Sequence, residues 1–241
     1  MTRPQPEADR LATRLKNFGI ETIVQPAQEF RAREISASEM EDIAAMSAPF
    51  LLIFSSPRAV EFGLPQLPAS VTSGARYAAI GPATARALAA AGRPASVQPQ
   101  QGYTSEALLA ELAGQAVAES ASALLICAPG GRQVLLEQLI ESGWNARNAW
   151  VYERLPVEIS SETLESIRNA GRLLTVFTSG EAMNAMSQRM PPSAWYSVCR
   201  GEWLVISGRL QRLARAFGPA DVHLAKGPGN ADLVTTIRNI Y

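Results

Sequence analysis

Short apolar runs alternate along the chain with stretches whose apolar residues return every three or four positions. The runs at 50–54 and 123–128 lack polar alternation and are far too short to cross a membrane, so they predict strands buried on both faces. Further strands are expected at 20–24, 77–80, 124–127 and 149–152. Leu11, Leu15 and Phe18 share one helical face that Gly19 ends. Ser55-Ser56-Pro57 opens a helix through Val60 and Phe62, with proline in the first turn. Gly81-Pro82-Ala83-Thr84 opens another that carries Leu88 and closes at Gly92. Thr104-Ser105-Glu106 starts a helix over 108–117, and Val134, Leu135 and Leu139 mark one that stops at Gly143. Strands and helices in strict alternation, with Gly/Pro connections, predict an α/β protein of parallel sheets covered on both faces.

The order repeats. Leu51-Leu52-Ile53-Phe54-Ser55-Ser56-Pro57-Arg58-Ala59-Val60 parallels Leu174-Thr175-Val176-Phe177-Thr178-Ser179-Gly180-Glu181-Ala182-Met183. The segment from Ile80-Gly81 to Gly92 has the length of that from Ile206-Ser207 to Gly218. Arg132, Leu135, Leu139 and Gly143 are echoed by Arg3, Leu11, Leu15 and Gly19, so the third piece is permuted to the N-terminus. Two similar parallel-sheet α/β domains follow, one inserted in the other. Domain A takes residues 1–30 and 156–241, and domain B takes 36–151. Residues 31–35 and 152–155 form a two-segment hinge.

Composition narrows the function. At 241 residues the chain can form two cores, and 47% apolar with 18% charged residues argues against disorder and against a long coiled coil. Basic and acidic residues balance at 22 each, although twenty of the basic ones are arginines, so no globally basic surface marks a nucleic-acid partner. One histidine, His223, and two cysteines, Cys127 and Cys199, are too few for a structural zinc site or a disulfide framework. Both cysteines sit in strand-like, apolar settings and read as inert core residues. The polar N-terminus has no signal-like apolar region and no segment reads as a membrane span, which predicts a cytoplasmic protein.

Ligands of open parallel sheets bind beyond the carboxyl ends of the strands. Those ends carry Ser55, Ser56, Gly81, Thr84, Thr178, Ser179 and Ser207, hydroxyls and free amides at helix N-termini that suit anions. Serine and threonine are also the commonest N-caps and need no ligand. Tyr152, where domain B returns the chain to domain A, is either a packed strand tyrosine or a phenol at a cleft mouth able to donate a proton. Arg132, after Gly130-Gly131, could clamp a carboxylate or cap the surface. His223 reads as structural, and Trp144, Trp150, Trp195 and Trp203 as packing residues.

The motifs, taken in order, resemble the uroporphyrinogen-III synthase family. They are Thr2-Arg3-Pro4, the run from Ile53 to Val60, the run from Ala79 to Leu88 with Gly92, Ser105-Glu106-Ala107-Leu108-Leu109, Gly131-Arg132, Val151-Tyr152-Glu153-Arg154 and Val176-Phe177-Thr178-Ser179. The resemblance implies conversion of the linear tetrapyrrole hydroxymethylbilane into uroporphyrinogen III, with loss of water and inversion of the last ring. It implies a monomer that uses no metal and no organic cofactor. Tyr152 matches the family tyrosine held to help the hydroxyl leave, Thr84 the threonine of the glycine turn, and the Ser/Thr pairs the hydroxyls lining the cleft. Catalysis would rest mainly on folding the substrate and restraining its reacting ends. Two features depart from the family. Only Met1 precedes the Thr-Arg-Pro segment, where members carry a short apolar strand, so either domain A lacks part of a strand or the start is misassigned. The second turn reads Ser207-Gly208-Arg209-Leu210, with leucine at the threonine position. That turn motivates the alternative of a non-catalytic two-domain module binding an acidic, tetrapyrrole-like ligand. A third reading, the sensor domain of a regulator, lacks appended DNA-binding helices.

Overall fold

The computed structural model describes residues 1–48, 50–113, 121–130 and 133–241. The chain divides into two compact units, Met1–Glu29 with Leu155–Tyr241, and Phe30–Arg154. The first half of the chain runs α1 (Glu7–Lys16), β1 (Gln28–Ala32), α2 (Ala37–Ala44), β2 (Phe50–Phe54), α3 (Pro57–Gly63), α4 (Ala69–Thr72), β3 (Arg76–Ala79), α5 (Pro82–Ala90) and α6 (Ser105–Ala113). It continues through β4 (Ser122–Cys127), α7 (Gln133–Glu141), β5 (Asn145–Trp150), β6 (Tyr152–Pro156), α8 (Ser161–Asn169), β7 (Leu174–Phe177) and α9 (Gly180–Arg189). The last elements are α10 (Pro192–Arg200), β8 (Glu202–Val205), α11 (Gly208–Arg215), β9 (Asp221–Leu224) and α12 (Asn230–Ile240). The strands β1 and β6, where the chain passes between the units, pair in a two-stranded sheet.

The Phe30–Arg154 unit is built on a parallel sheet in the order β3-β2-β4-β5. Every residue of β2 and β4 is buried, as an apolar run in a central parallel strand requires. Leu52, Phe54, Leu124 and Ile126 face one core with Val60, Leu88 and Tyr152, whereas Leu51, Ile53, Leu125 and Cys127 face the other with Leu108, Leu135 and Leu139. The other unit holds the parallel sheet β7-β8-β9. Trp203, Phe177, Met183 and Leu210 fill one of its cores, and Leu11, Leu15, Val176 and Leu233 the other.

Several elements differ from the sequence reading. No strand forms at 20–24. Instead Met1 and Thr2 lie between that segment and β7: the Met1 amino group donates to the Ile23 carbonyl, Gln25 N–H to Met1, Ala27 N–H to Thr2 and Thr2 N–H to Val176. The two residues thus make the start of a parallel ladder, too short to hold 20–24 as a strand. Phe18 falls beyond α1 and is exposed, with the Arg238 guanidinium 4.2 Å from its ring. The expected strand at 149–152 is split at Val151 into β5 and β6. Cys199 lies on helix α10, not a strand, because Trp195, Val198 and Cys199 follow Pro192 at helical spacing. The capping-box helix α2, with Ser36 and Glu39 bonded reciprocally, has no counterpart in the hydrophobic pattern. Of the helix expected over 108–117, the part after Ala113 lies outside the described residues, as does Arg132.

Candidate functional site

Register brings the strand ends together within each unit. Phe54 pairs with Ala79, so Ser55-Ser56 and Ile80-Gly81 leave the sheet side by side in the Phe30–Arg154 unit. Phe177 pairs with Val205, so Thr178-Ser179 and Ile206-Ser207 do the same in the other. Ser56, Ser179 and Ser207 share one extended backbone conformation, and each Oγ accepts from the amide three residues on, at 3.1, 3.1 and 3.3 Å. All three are therefore working N-caps, which satisfy one amide and leave the helix dipole facing outward. Gly81 has the same extended geometry but no side chain, so α5 alone of these four helices starts without a side-chain cap. Ser55 N–H is taken by the Ile126 carbonyl at 3.1 Å.

Tyr152 joins the β2 end from a distance of 96 residues: its hydroxyl lies 3.1 Å from Ser56 Oγ. Its ring is only 2% exposed, held edge-on by Phe30 at 5.7 Å and against Phe62 at 6.1 Å. The ring is packed, as one of the two sequence readings expects, and the hydroxyl reaches a strand-end serine. Ser56 accepts the Ala59 amide and keeps its own proton for a partner, so Ala59, Ser56 and Tyr152 form a short polar chain at the β2 terminus. Beside it, Arg58 lies 5.6 Å from the Phe30 ring and pairs with Glu61.

Thr84 and Leu210 occupy equivalent first-turn positions, and both are buried, at 3% and 2% exposed. The Thr84 amide donates to Gly81 O. Leu210 packs with Phe177, Met183 and Trp203. Leucine at 210 thus fills an inward position, a packing demand that one strand-helix motif does not reveal. Arg3 stands in the sequence only as part of a motif. It follows Thr2 beside β7 and donates to Asn230 Oδ1 at 2.7 Å, and burial lowers its pKa while Glu7 partly restores it. Its position after a hydrogen-bonded residue at the sheet makes it a cation held in place, which strand-end hydroxyl patterns could not have found.

Other candidates lie elsewhere. His223 Nε2 is 2.7 Å from Glu202 Oε2, and Arg172 Nε donates to the other oxygen at 2.9 Å. The His223 hydrogen bond and Arg172 hold the Glu202 carboxyl below its ordinary range. Burial pushes the Cys127 thiol up to about 12 and raises Cys199 as well, so neither is a ready nucleophile. Trp144 and Trp203 are buried and Trp195 is ringed by Trp203 and Phe217, but Trp150 is exposed on the edge strand β5, with Arg33 5.7 Å from its ring. A cavity of about 1170 Å³ in the Met1–Glu29/Leu155–Tyr241 unit is lined by Ile20, Thr22, Leu174 and Met186 among others, and by none of the strand-end hydroxyls.

Two units built on parallel sheets, each with strands that run into helix N-termini, define a two-unit α/β protein. The family model Uroporphyrinogen-III synthase HemD matches residues 9–235. The uroporphyrinogen-III synthases of Escherichia coli (strain K12) and Salmonella typhimurium are 30% and 29% identical to the chain, each alignment covering 99% of this chain and 98% of the relative. The solved uroporphyrinogen III synthase of the extremely thermophilic bacterium Thermus thermophilus, a mutant form, superimposes with a TM-score of 0.62 at 18% identity, over 97% of this chain and 95% of that one. That of Helicobacter pylori gives 0.60 at 16%, over 92% and 96%. The chain belongs to the uroporphyrinogen-III synthase family, cyclising lyases of tetrapyrrole biosynthesis. Membership does not favour the non-catalytic module. Among the described residues no helix is long and apolar enough to cross a membrane.

Proposed function

We propose that the protein cyclises hydroxymethylbilane to uroporphyrinogen III, with loss of water and inversion of the last ring. The observation that carries the reading is the Tyr152 hydroxyl held 3.1 Å from Ser56 at the end of β2. The hydroxymethyl group of the substrate leaves as water, so its oxygen needs a proton or a hydrogen bond as the carbon–oxygen bond breaks. Tyr152 supplies that donor while Ser56 orients it, and the ring is kept rigid by Phe30 and Phe62. The carboxylates of the substrate are taken by the helix N-termini after Ser55-Ser56, Gly81, Thr178-Ser179 and Ser207, with Arg3 as a fixed cation and Arg132, outside the described residues, as a further binding residue. Thr84 serves by shaping the first turn of α5.

Residues 1–30 with 156–241 and residues 36–151 act as two domains, and the passages at 31–35 and 152–155 as the hinge. The protein acts as a monomer in the cytoplasm, without metal or organic cofactor. Incubation with freshly generated hydroxymethylbilane and separation of the product isomers tests the reading. Type III product is expected, and type I alone, the spontaneous isomer, would exclude it.

A further inference from the structure

Tyr103 has a backbone that its side chain disfavours. Its φ is 40°, and among the described residues it is the one non-glycine position with positive φ. The left-handed region crowds any Cβ, and bulky residues enter it only where the surroundings enforce it. Gly102 before it, at φ 83°, meets the same demand freely. The turn serves to start α6, whose first amides are taken by Thr104: Ala107 N–H donates to its Oγ1 at 3.2 Å and Leu108 N–H to its carbonyl at 3.1 Å. None of these bonds uses the Tyr103 side chain, so glycine at 103 would make the same turn without strain.

The ring is also 49% exposed, so packing does not repay the strain. Its position is informative. A Cβ built on Gly81 would lie 3.8 Å from Tyr103 Cβ, which sets the tyrosine beside the strand end where α5 starts without a side-chain cap. A strained, half-exposed aromatic at a binding terminus is what a ligand-facing residue costs a fold.

We infer that Tyr103 is a substrate-positioning residue that packs its ring against a pyrrole of the linear tetrapyrrole whose carboxylates occupy the neighbouring strand end. This rests on the function proposed above. Pyrrole offers an N–H edge and an electron-rich face, and tyrosine presents a rigid face that meets either in edge-on or offset contact. The contact is present before and during cyclisation alike, so it adds binding and not rate.

The test compares Tyr103→Gly and Tyr103→Phe with the unaltered protein in the isomer-resolved hydroxymethylbilane assay, alongside thermal unfolding. For the glycine variant KM is expected to rise about tenfold, with kcat within about twofold and Tm equal or higher. The phenylalanine variant keeps KM within about twofold. An unchanged KM in the glycine variant overturns the inference, as does a rise in KM accompanied by a fall in Tm. Unaltered protein that forms only the type I isomer would instead overturn the function on which the inference rests, a separate result.

Discussion

Replacing Tyr152 by phenylalanine removes one oxygen and leaves the packing in place. The ring remains between Phe30 and Phe62, 5.7 and 6.1 Å away, and stays buried. The loss is the 3.1 Å bond to Ser56 Oγ, and a net intramolecular hydrogen bond contributes about 0.5–1.5 kcal/mol. Unfolding should move down by only a few degrees, roughly 2–4 °C per kcal/mol for a chain of this size. Ser56→Ala loses that bond and the α3 cap, so it should cost about 1 kcal/mol more. The double variant should cost less than the sum by about 0.5–1.5 kcal/mol, the coupling of two groups in direct contact. Turnover of Tyr152→Phe should fall on the order of 100-fold if its hydroxyl assists departure of the substrate hydroxyl. Urea unfolding of the four proteins gives the coupling, and isomer-resolved kinetics gives the rate. A kcat within twofold of the unaltered enzyme, with the coupling intact, would leave Tyr152 a packing residue and refute the catalytic argument.

Other expectations test the fold around the site. Gly63→Ala places a Cβ 2.5 Å from Ile126 and 3.0 Å from Val151, both β-branched and unable to turn aside, so it should destabilise by about 1–3 kcal/mol in urea titration. Ser122→Ala should stabilise by about 1 kcal/mol, since the Ser122 hydroxyl is wholly buried and has no hydrogen-bond partner among the described residues; a loss of stability would reveal one. Leu210→Thr should cost about 2–4 kcal/mol and leave product isomer ratios unchanged, because the position faces the Phe177 and Trp203 core; a gain in turnover would contradict that placement. With its thiol pushed up to about 12, Cys127 should resist alkylation at about pH 8 in the folded protein and react once urea unfolds it.

What could be read along the chain was whatever a short segment decides for itself. The runs containing Leu51-Leu52-Ile53-Phe54 and Leu124-Leu125-Ile126-Cys127 declare buried parallel strands, because a strand covered on both faces has no polar alternation. Caps at Ser56, Ser179 and Ser207 follow from residue type and the helix that starts after each. The edge strand β5 was only partly legible, since Asn145-Ala146-Arg147-Asn148 is polar and half-exposed and carries no hydrophobic signature. The segment 20–24 failed in the opposite way: its apolar residues read as a strand, yet a strand needs a partner along its whole length, and Met1 and Thr2 reach only its end.

The chemistry divides along the same line. The sequence determined which groups are available, namely hydroxyls and arginines with one histidine and two cysteines, and it determined the helix starts that aim amides outward. Only tertiary structure decided that Tyr152 reaches Ser56 across 96 residues, that Thr84 and Leu210 both turn inward, and that Tyr103 stands strained beside Gly81. Caps and buried runs arise from interactions within a few residues, which composition and spacing record. Contacts between strand ends depend on sheet register and on which side chain a core can enclose, and those are settled only when distant segments pack.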